Sequence, residues 1–215
     1  MIDVHTPHEP VTSVKGFLMH LLTITIGVLI ALGLEAIVEW RHHTILERVA
    51  ALNLTAEILS NQRDLAQVLQ ALHEEERQCR RLLTFLQHES TDTAYQPSPI
   101  GMKIGSPEDA SWRTAGATGA LGYMDYVRAQ KFAAAYELQN KLDAQQDRAM
   151  QLVQTLDALI SDSQVHNTKA TVEVVAVESL LTQLQLLRDL GTELDRRYAL
   201  ILQVQQIEVR GDVPQ

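Results

Sequence analysis

Three ionisable residues stand close together in "EWRHH": Glu39, His42 and His43. Glu39-Trp40-Arg41-His42 has the Glu-x-x-His spacing with which helices of a bundle offer a carboxylate and an imidazole to a shared metal centre. Such a centre needs matching ligands from other helices, which only symmetry between copies would supply here. His5 and His8 in "VHTPHEP" are the further imidazoles of the tail. The simpler reading is a polar collar, so neither metal nor other cofactor is expected. His20 and Glu35 lie in an otherwise apolar stretch, where a charge is costly and therefore often functional. Rings of such groups at a helix seam can form an ion or proton path.

Other chemical patterns are weaker. "HEEER", His73 to Arg77, lacks the second histidine of the zinc-protease motif and reads as a solvated charged face. The single cysteine, Cys79, excludes an internal disulfide and has no adjacent base to activate it. Gly116, Gly119 and Gly122 do not form a phosphate loop, because neither a preceding strand nor a Gly-Lys-Ser/Thr follows the pattern; close packing is expected there instead, with Trp112 buried near Tyr123 or Tyr126. His88 and His166 fall near expected helix ends, and Arg210-Gly211-Asp212 belongs to a frayed end rather than to an adhesion motif. No catalytic constellation emerges, and the chain is expected not to be an enzyme.

The elements that would carry these residues are helices. Phe17 to Val38 comprises 22 residues whose only ionisable members are His20 and Glu35. At about 1.5 Å per residue this spans roughly 33 Å, the thickness of a bilayer core. Ala31-Leu32-Gly33 resembles a signal-peptide cleavage site, but the apolar run continues through Val38 to Trp40 and Arg41, an aromatic and a charge suited to the membrane interface. Residues 17–40 are therefore expected to form a transmembrane helix. At 100° per residue, His20, Thr23, Gly27, Ala31, Glu35 and Glu39 share a face opposite Leu22, Ile26, Leu29, Ile30, Gly33 and Ile37. Thr23, Gly27 and Ala31 have the four-residue spacing of small side chains that brings helices together in lipid. The expected partners are the bilayer, a second copy, or another membrane protein. Lys15 on one flank against Arg41 and Arg48 on the other leans weakly toward a cytoplasmic carboxy-terminal domain.

Beyond the span, Gln, Leu, Ala, Glu, Asp and Arg dominate, which favours helix. A net charge of −9 argues against nucleic acid as a partner. An all-α fold is expected: a tail over 1–16, the span, then an antiparallel, coiled-coil-like bundle of three to four helices over 41–209, with 210–215 frayed. Its helices are expected at about 41–88, 107–121, 125–164 and 169–209, with a loop at 89–106. The first shows Ile45, Val49, Leu52, Ala56, Leu65, Leu69 and Leu72 at helical steps. Ser106-Pro107-Glu108-Asp109 reads as a helix start with its cap, first-turn proline and acids. Asp125 can cap the third helix.

His20, Gly27, Leu29, Ile30, Ala31, Gly33, Leu34, Glu35, Glu39, His42 and His43, followed by "SWRTAGATGAL" and "FAAAYELQ", resemble a group of uncharacterised bacterial single-span membrane proteins. Their pattern is a histidine-containing tail, a GxLIAxxLE-type span ending in E-x-x-HH, and a helical bundle. The resemblance implies a bacterial inner-membrane protein and brings no activity with it. The expected function is therefore assembly: a non-enzymatic single-pass protein that forms a homo-oligomer or serves as an accessory or scaffold subunit. The alternative is a homo-oligomeric ion or proton pathway along the polar face.

Overall fold

The computed structural model describes residues 14–87, 100–102, 105–166 and 171–211; for 162–166 and 205–211 only the backbone is described. His5, His8 and His88 lie outside these residues, as does most of the expected loop 89–106. The fold is all-α: α1 (Val14–Gln87), α2 (Ala110–Ala117), a 3-10 turn (Ala120–Tyr123), α3 (Tyr126–His166) and α4 (Thr171–Gly211). The chain divides into two compact units, Met1–Arg48 and Val49–Gln215, with α1 contributing to both.

Within the first unit, the described residues up to Arg41 are exposed on every face of the helix, including Phe17, Leu29 and Trp40. It is the one described helix long and apolar enough to cross a membrane.

In the second unit the remainder of α1 packs with α3 and α4. Each helix buries a seam whose steps alternate between three and four residues. On α1 it is Leu54, Ile58, Asn61, Leu65, Val68, Leu72, Glu75, Cys79 and Leu82. On α3 it is Phe132, Ala135, Gln139, Leu142, Gln146, Ala149, Val153 and Leu156, and on α4 Val177, Leu180, Leu184, Leu187, Gly191, Leu194, Tyr198 and Ile201. This is a heptad pattern, which keeps one stripe of each helix facing its partners through a left-handed supercoil. Tyr136 meets Glu57 and Gln139 meets Asn61, so α3 runs parallel to α1. Gln62 meets Asp195 and Glu76 meets Arg188, so α4 runs antiparallel to it.

The α1 seam differs from the expected one in its first turns. Val49 and Leu52 are exposed and the stripe runs through Leu54 and Ile58. Asn61 and Glu75 occupy seam positions, so a search for apolar periodicity alone drifts onto the neighbouring stripe.

The second helix also departs from expectation. It begins at Ala110, and its cap residue Asp109 makes no side-chain cap hydrogen bond. In a helix starting at Pro107, Pro107 and Glu108 would offer their carbonyls to the N–H groups four residues on. Instead Ser111 N–H donates to Glu57 Oε2 at 2.7 Å, and the Glu108 carbonyl accepts from Asn61 Nδ2 at 2.7 Å. Side chains of α1 and α3 keep the segment out of the helix until Asp109. The helix stops at Thr118 because Gly119 adopts φ +74, a left-handed conformation that favours glycine. In α3, Asp125 Oδ1 accepts from Arg128 N–H at 3.0 Å, as a helix cap does.

Candidate functional site

The sequence-predicted residues of the first unit lie along one helix. Thr23 Oγ1 donates to the Met19 carbonyl at 2.9 Å, which turns its polarity inward and leaves its methyl group on the outer surface. A Cβ built on Gly27 would meet nothing within 4 Å, and the same holds for Gly33. The helix backbone is thus open to close approach at both positions. His20, Thr23, Gly27, Ala31 and Glu35 are all exposed. At the collar, His43 Nε2 lies 3.9 Å from Glu39 Oε1, while the His42 and His43 rings are 6.1 Å apart and tilted by 57°. One helical turn therefore pairs Glu39 with His43 rather than with the His42 of the Glu-x-x-His spacing. Among the described residues, no three His, Cys, Asp or Glu side chains are grouped to hold a metal ion.

A polar site of the second unit is absent from the sequence reading altogether. Residues 105–111 form a strap fixed by four side chains, Glu57 at Ser111 and Asn61, Gln139 and Gln146 before it. Asn61 accepts from Glu108 N–H at 2.8 Å and donates to the same residue's carbonyl at 2.7 Å. Gln146 does the same for Gly105, accepting at 3.1 Å and donating at 3.0 Å. Each carboxamide thus pairs with a backbone amide as a neighbouring strand would, satisfying both polar groups of one residue. Gln139 sits between them, donating to the Glu108 carbonyl at 3.1 Å while its Oε1 accepts from Tyr198 Oη at 2.7 Å and Asn61 Nδ2 at 3.3 Å. Gly105 is required by proximity, since a Cβ there would lie 2.7 Å from Val68 Cγ2. A cavity of about 20 Å³ remains beneath the strap, between Asn61, Gly105, Gln146 and Tyr198, room for a single water molecule.

The strap delivers Trp112 to its place. Its indole stacks on Tyr136 with centroids 5.0 Å apart and planes 16° apart, and Tyr136 Oη donates to Glu57 Oε1 at 2.6 Å. Tyr136, not Tyr123 or Tyr126, is therefore the partner of Trp112; the other two are exposed. Burial, followed by the hydrogen bond to the Glu57 carboxylate, pushes the Tyr136 phenol well above its ordinary pKa. Burial, then the Asp143 charge, raises Tyr198 too. Both phenols stay protonated across the working pH range and serve as donors. Gly116, Gly119 and Gly122 have open space where a Cβ would be, so close packing is not the reason for them. Besides Gly105, Gly191 faces a packed neighbour: a Cβ there would come within 2.8 Å of Leu69 Cδ2.

"HEEER" is likewise only partly a solvated face. Glu75 and Glu76 are buried, and Glu76 accepts from Arg188 Nη1 at 2.9 Å through each of its oxygens. The charge pattern of one helix does not disclose a cation arriving from another. Cys79, one turn on, is completely buried, and its thiol is pushed up to about 12, first by burial and then by Glu75 and Glu76. A thiolate is the reactive form. We expect Cys79 to resist maleimide in the folded protein and to react once denaturant opens the bundle. Stoichiometric labelling under native conditions would contradict its placement.

Asp143 supplies a pH dependence. Its carboxyl is pushed up to about 6, first by burial and then by Asp147 and Asp109. Between about pH 4 and 6 the folded chain holds a proton that the unfolded chain releases, so stability falls as pH rises through this window. Asp143→Asn keeps an acceptor for Gln146 Nε2, which lies 3.2 Å from Asp143 Oδ1, and removes the charge. The variant should be more stable than the parent above pH 6 and gain nothing at pH 4, as measured by denaturation midpoints. An equal gain at both would refute the electrostatic account.

The arrangement of the second unit is one of positioning: buried amides and phenols spend their hydrogen bonds on a strap and a Trp corner. The polar seam residues Asn61, Gln139 and Gln146 are the signal that sequence reasoning passed over, because a carboxamide in an apolar heptad stripe is costly unless it has a specific partner. Neither a protein-family model, nor a curated protein, nor a solved structure matches this chain.

Proposed function

We propose that this chain is a non-enzymatic, single-pass membrane protein whose span, residues 17–40, assembles with copies of itself or docks it as an accessory or scaffold subunit of a larger membrane complex. The observation that carries this reading is an apolar helix of bilayer length with no part of its most apolar stretch buried by the chain itself. Apolar surface of that extent is stable only against lipid or another apolar surface. On it, Thr23, Gly27 and Ala31 leave the backbone open to a second helix in a medium where close packing, not the hydrophobic effect, drives association. The resemblance of the span to bacterial single-span proteins supports placement in an inner membrane. The small excess of basic residues after the span, Arg41 and Arg48 against Lys15, supports a cytoplasmic bundle.

The test is the mass of the complex extracted in mild detergent, with identification of every protein that accompanies it. A defined homo-oligomer or a stoichiometric foreign subunit is expected. A monomer with nothing bound, also refractory to crosslinking in membranes, would overturn the reading. A second reading is favoured by one feature: His20 and Glu35 lie on the small-residue face, so assembly through it would bring ionisable rings together. Reconstituted protein would then conduct ions or protons, and Glu35→Gln would change that conductance. Conductance unaltered by the substitution would remove its basis.

A further inference from the structure

The part of α1 that belongs to the second unit carries two apolar faces. Its a and d positions form the buried seam through Leu54, Ile58, Asn61 and Leu65. The b and f positions of the same heptad point away from that seam, where a bundle helix ordinarily meets water with polar residues. Here they are first Val49, Leu52, Ala56 and Leu59, and farther along the same face Arg63, Ala66, Gln70 and His73. Val49 is 49% exposed, Leu52 58% and Leu59 38%, and Ala56 is exposed as well. Val49, Leu52 and Leu59 are the only exposed large apolar side chains of α1 in the second unit, and all three stand in this one row. Exposed apolar residues scattered singly need no partner. A row stepped by three, four and three that turns polar at Arg63 has the pattern of a seam between helices.

The flanks of the row fit a second copy. Between Val49 and Gln62 the one ionisable residue is Glu57, which is buried and bonded to Ser111 and Tyr136. In a parallel pair the row is flanked by Asn53, Thr55, Ser60 and Gln62, all neutral, whereas charges at those flanking positions are what select a foreign helix. One copy therefore meets no like charge on the other until Arg63 faces Arg63, which ends the contact. A coiled coil that pairs unaided sustains its pattern over roughly three heptads or more, so four apolar residues a side need a tether. Val49 follows Trp40 by nine residues. Nine residues reach about 30 Å at most, so two copies joined through residues 17–40 hold their rows at an effective concentration on the order of millimolar. We propose that Val49, Leu52, Ala56 and Leu59 form a parallel, twofold contact with the same row of a second copy. The inference deepens the self-assembly reading of residues 17–40 and rests on it.

The experiment uses the full chain in membranes and in mild detergent. About a twofold axis each residue of the row meets its own counterpart, so single cysteines suffice. Under a mild oxidant Leu52→Cys and Leu59→Cys should form disulfide-linked dimers, and Asp189→Cys, an exposed site on α4, should not. The buried Cys79 does not compete under native conditions. Leu52→Glu should weaken association at least about tenfold, since it places two carboxylates against each other and removes a buried leucine from each copy. Its circular dichroism should match that of the parent, because more than half of Leu52 is exposed. A parent that is a homo-oligomer by mass, with Leu52→Cys crosslinking no better than Asp189→Cys, would overturn the contact while leaving the span reading intact. A parent that stays monomeric in membranes and gives no disulfide at Leu52→Cys would defeat both. Protection of Leu52→Cys from maleimide by a stoichiometric foreign protein would also overturn the proposal.

Discussion

Asn61→Ala should lower the unfolding free energy by about 3 kcal/mol, the usual cost of orphaning a buried backbone group with a small cavity besides. Asn61 serves both polar groups of Glu108, at 2.8 and 2.7 Å, and also reaches Gln139. Its removal leaves Glu108 N–H without its acceptor, and the Glu108 carbonyl keeps only Gln139 at 3.1 Å. For a bundle of this size the loss corresponds to a melting temperature lower by roughly 9 °C. Asn61→Leu restores volume but not the acceptor, so it should remain destabilised by about 2 kcal/mol. Gln62→Ala is the comparison: its 2.9 Å hydrogen bond to Asp195 is only half-buried, and its loss should cost under about 1 kcal/mol. Denaturation of the detergent-solubilised protein in a Trp40→Phe background, followed by the emission of Trp112, measures all three, since release of the strap also unstacks Trp112 from Tyr136. Equal midpoints for Asn61→Ala and Gln62→Ala would show that the strap is not held as described.

The second large effect concerns assembly. Gly27→Leu should weaken association by about 2 kcal/mol, some thirtyfold, because a branched side chain holds two backbones apart where packing supplies the attraction. Gly33→Leu makes the same chemical change on the opposite face and should leave association as it was. Both glycines have open space at the Cβ position, so neither substitution disturbs the isolated helix, and any difference between them reports a partner. Dilution series in detergent, read by mass or by energy transfer between labelled copies, would measure the two constants. Identical constants would mean that the Thr23, Gly27 and Ala31 face is not the seam.

Fold class and the position of the exposed apolar helix are legible in residue order alone. Both depend on patterns local to one element: a run of apolar residues, a three-and-four alternation in α3 and α4, an Asp before Tyr126 that caps a helix. Local patterns survive without knowledge of neighbours because the 3.6-residue period and the cap geometry are properties of one helix. Which residues of the second unit act together depends on packing between helices. In residue order Asn61, Gln139 and Gln146 are ordinary polar residues; in the fold they lie in the buried seam, paired with the backbone of residues 105–111. Pro107 had the sequence of a helix start, but Glu57, Asn61 and Gln139 took the polar groups on which the first turn depends. Glu76 is one acid among several in the sequence, and in the fold Arg188 of α4 meets it. In each case a hydrogen bond between residues more than thirty positions apart outweighed a preference worth a fraction of a kcal/mol per residue, which is why the chain's local grammar gave its helices and only packing gave its corner.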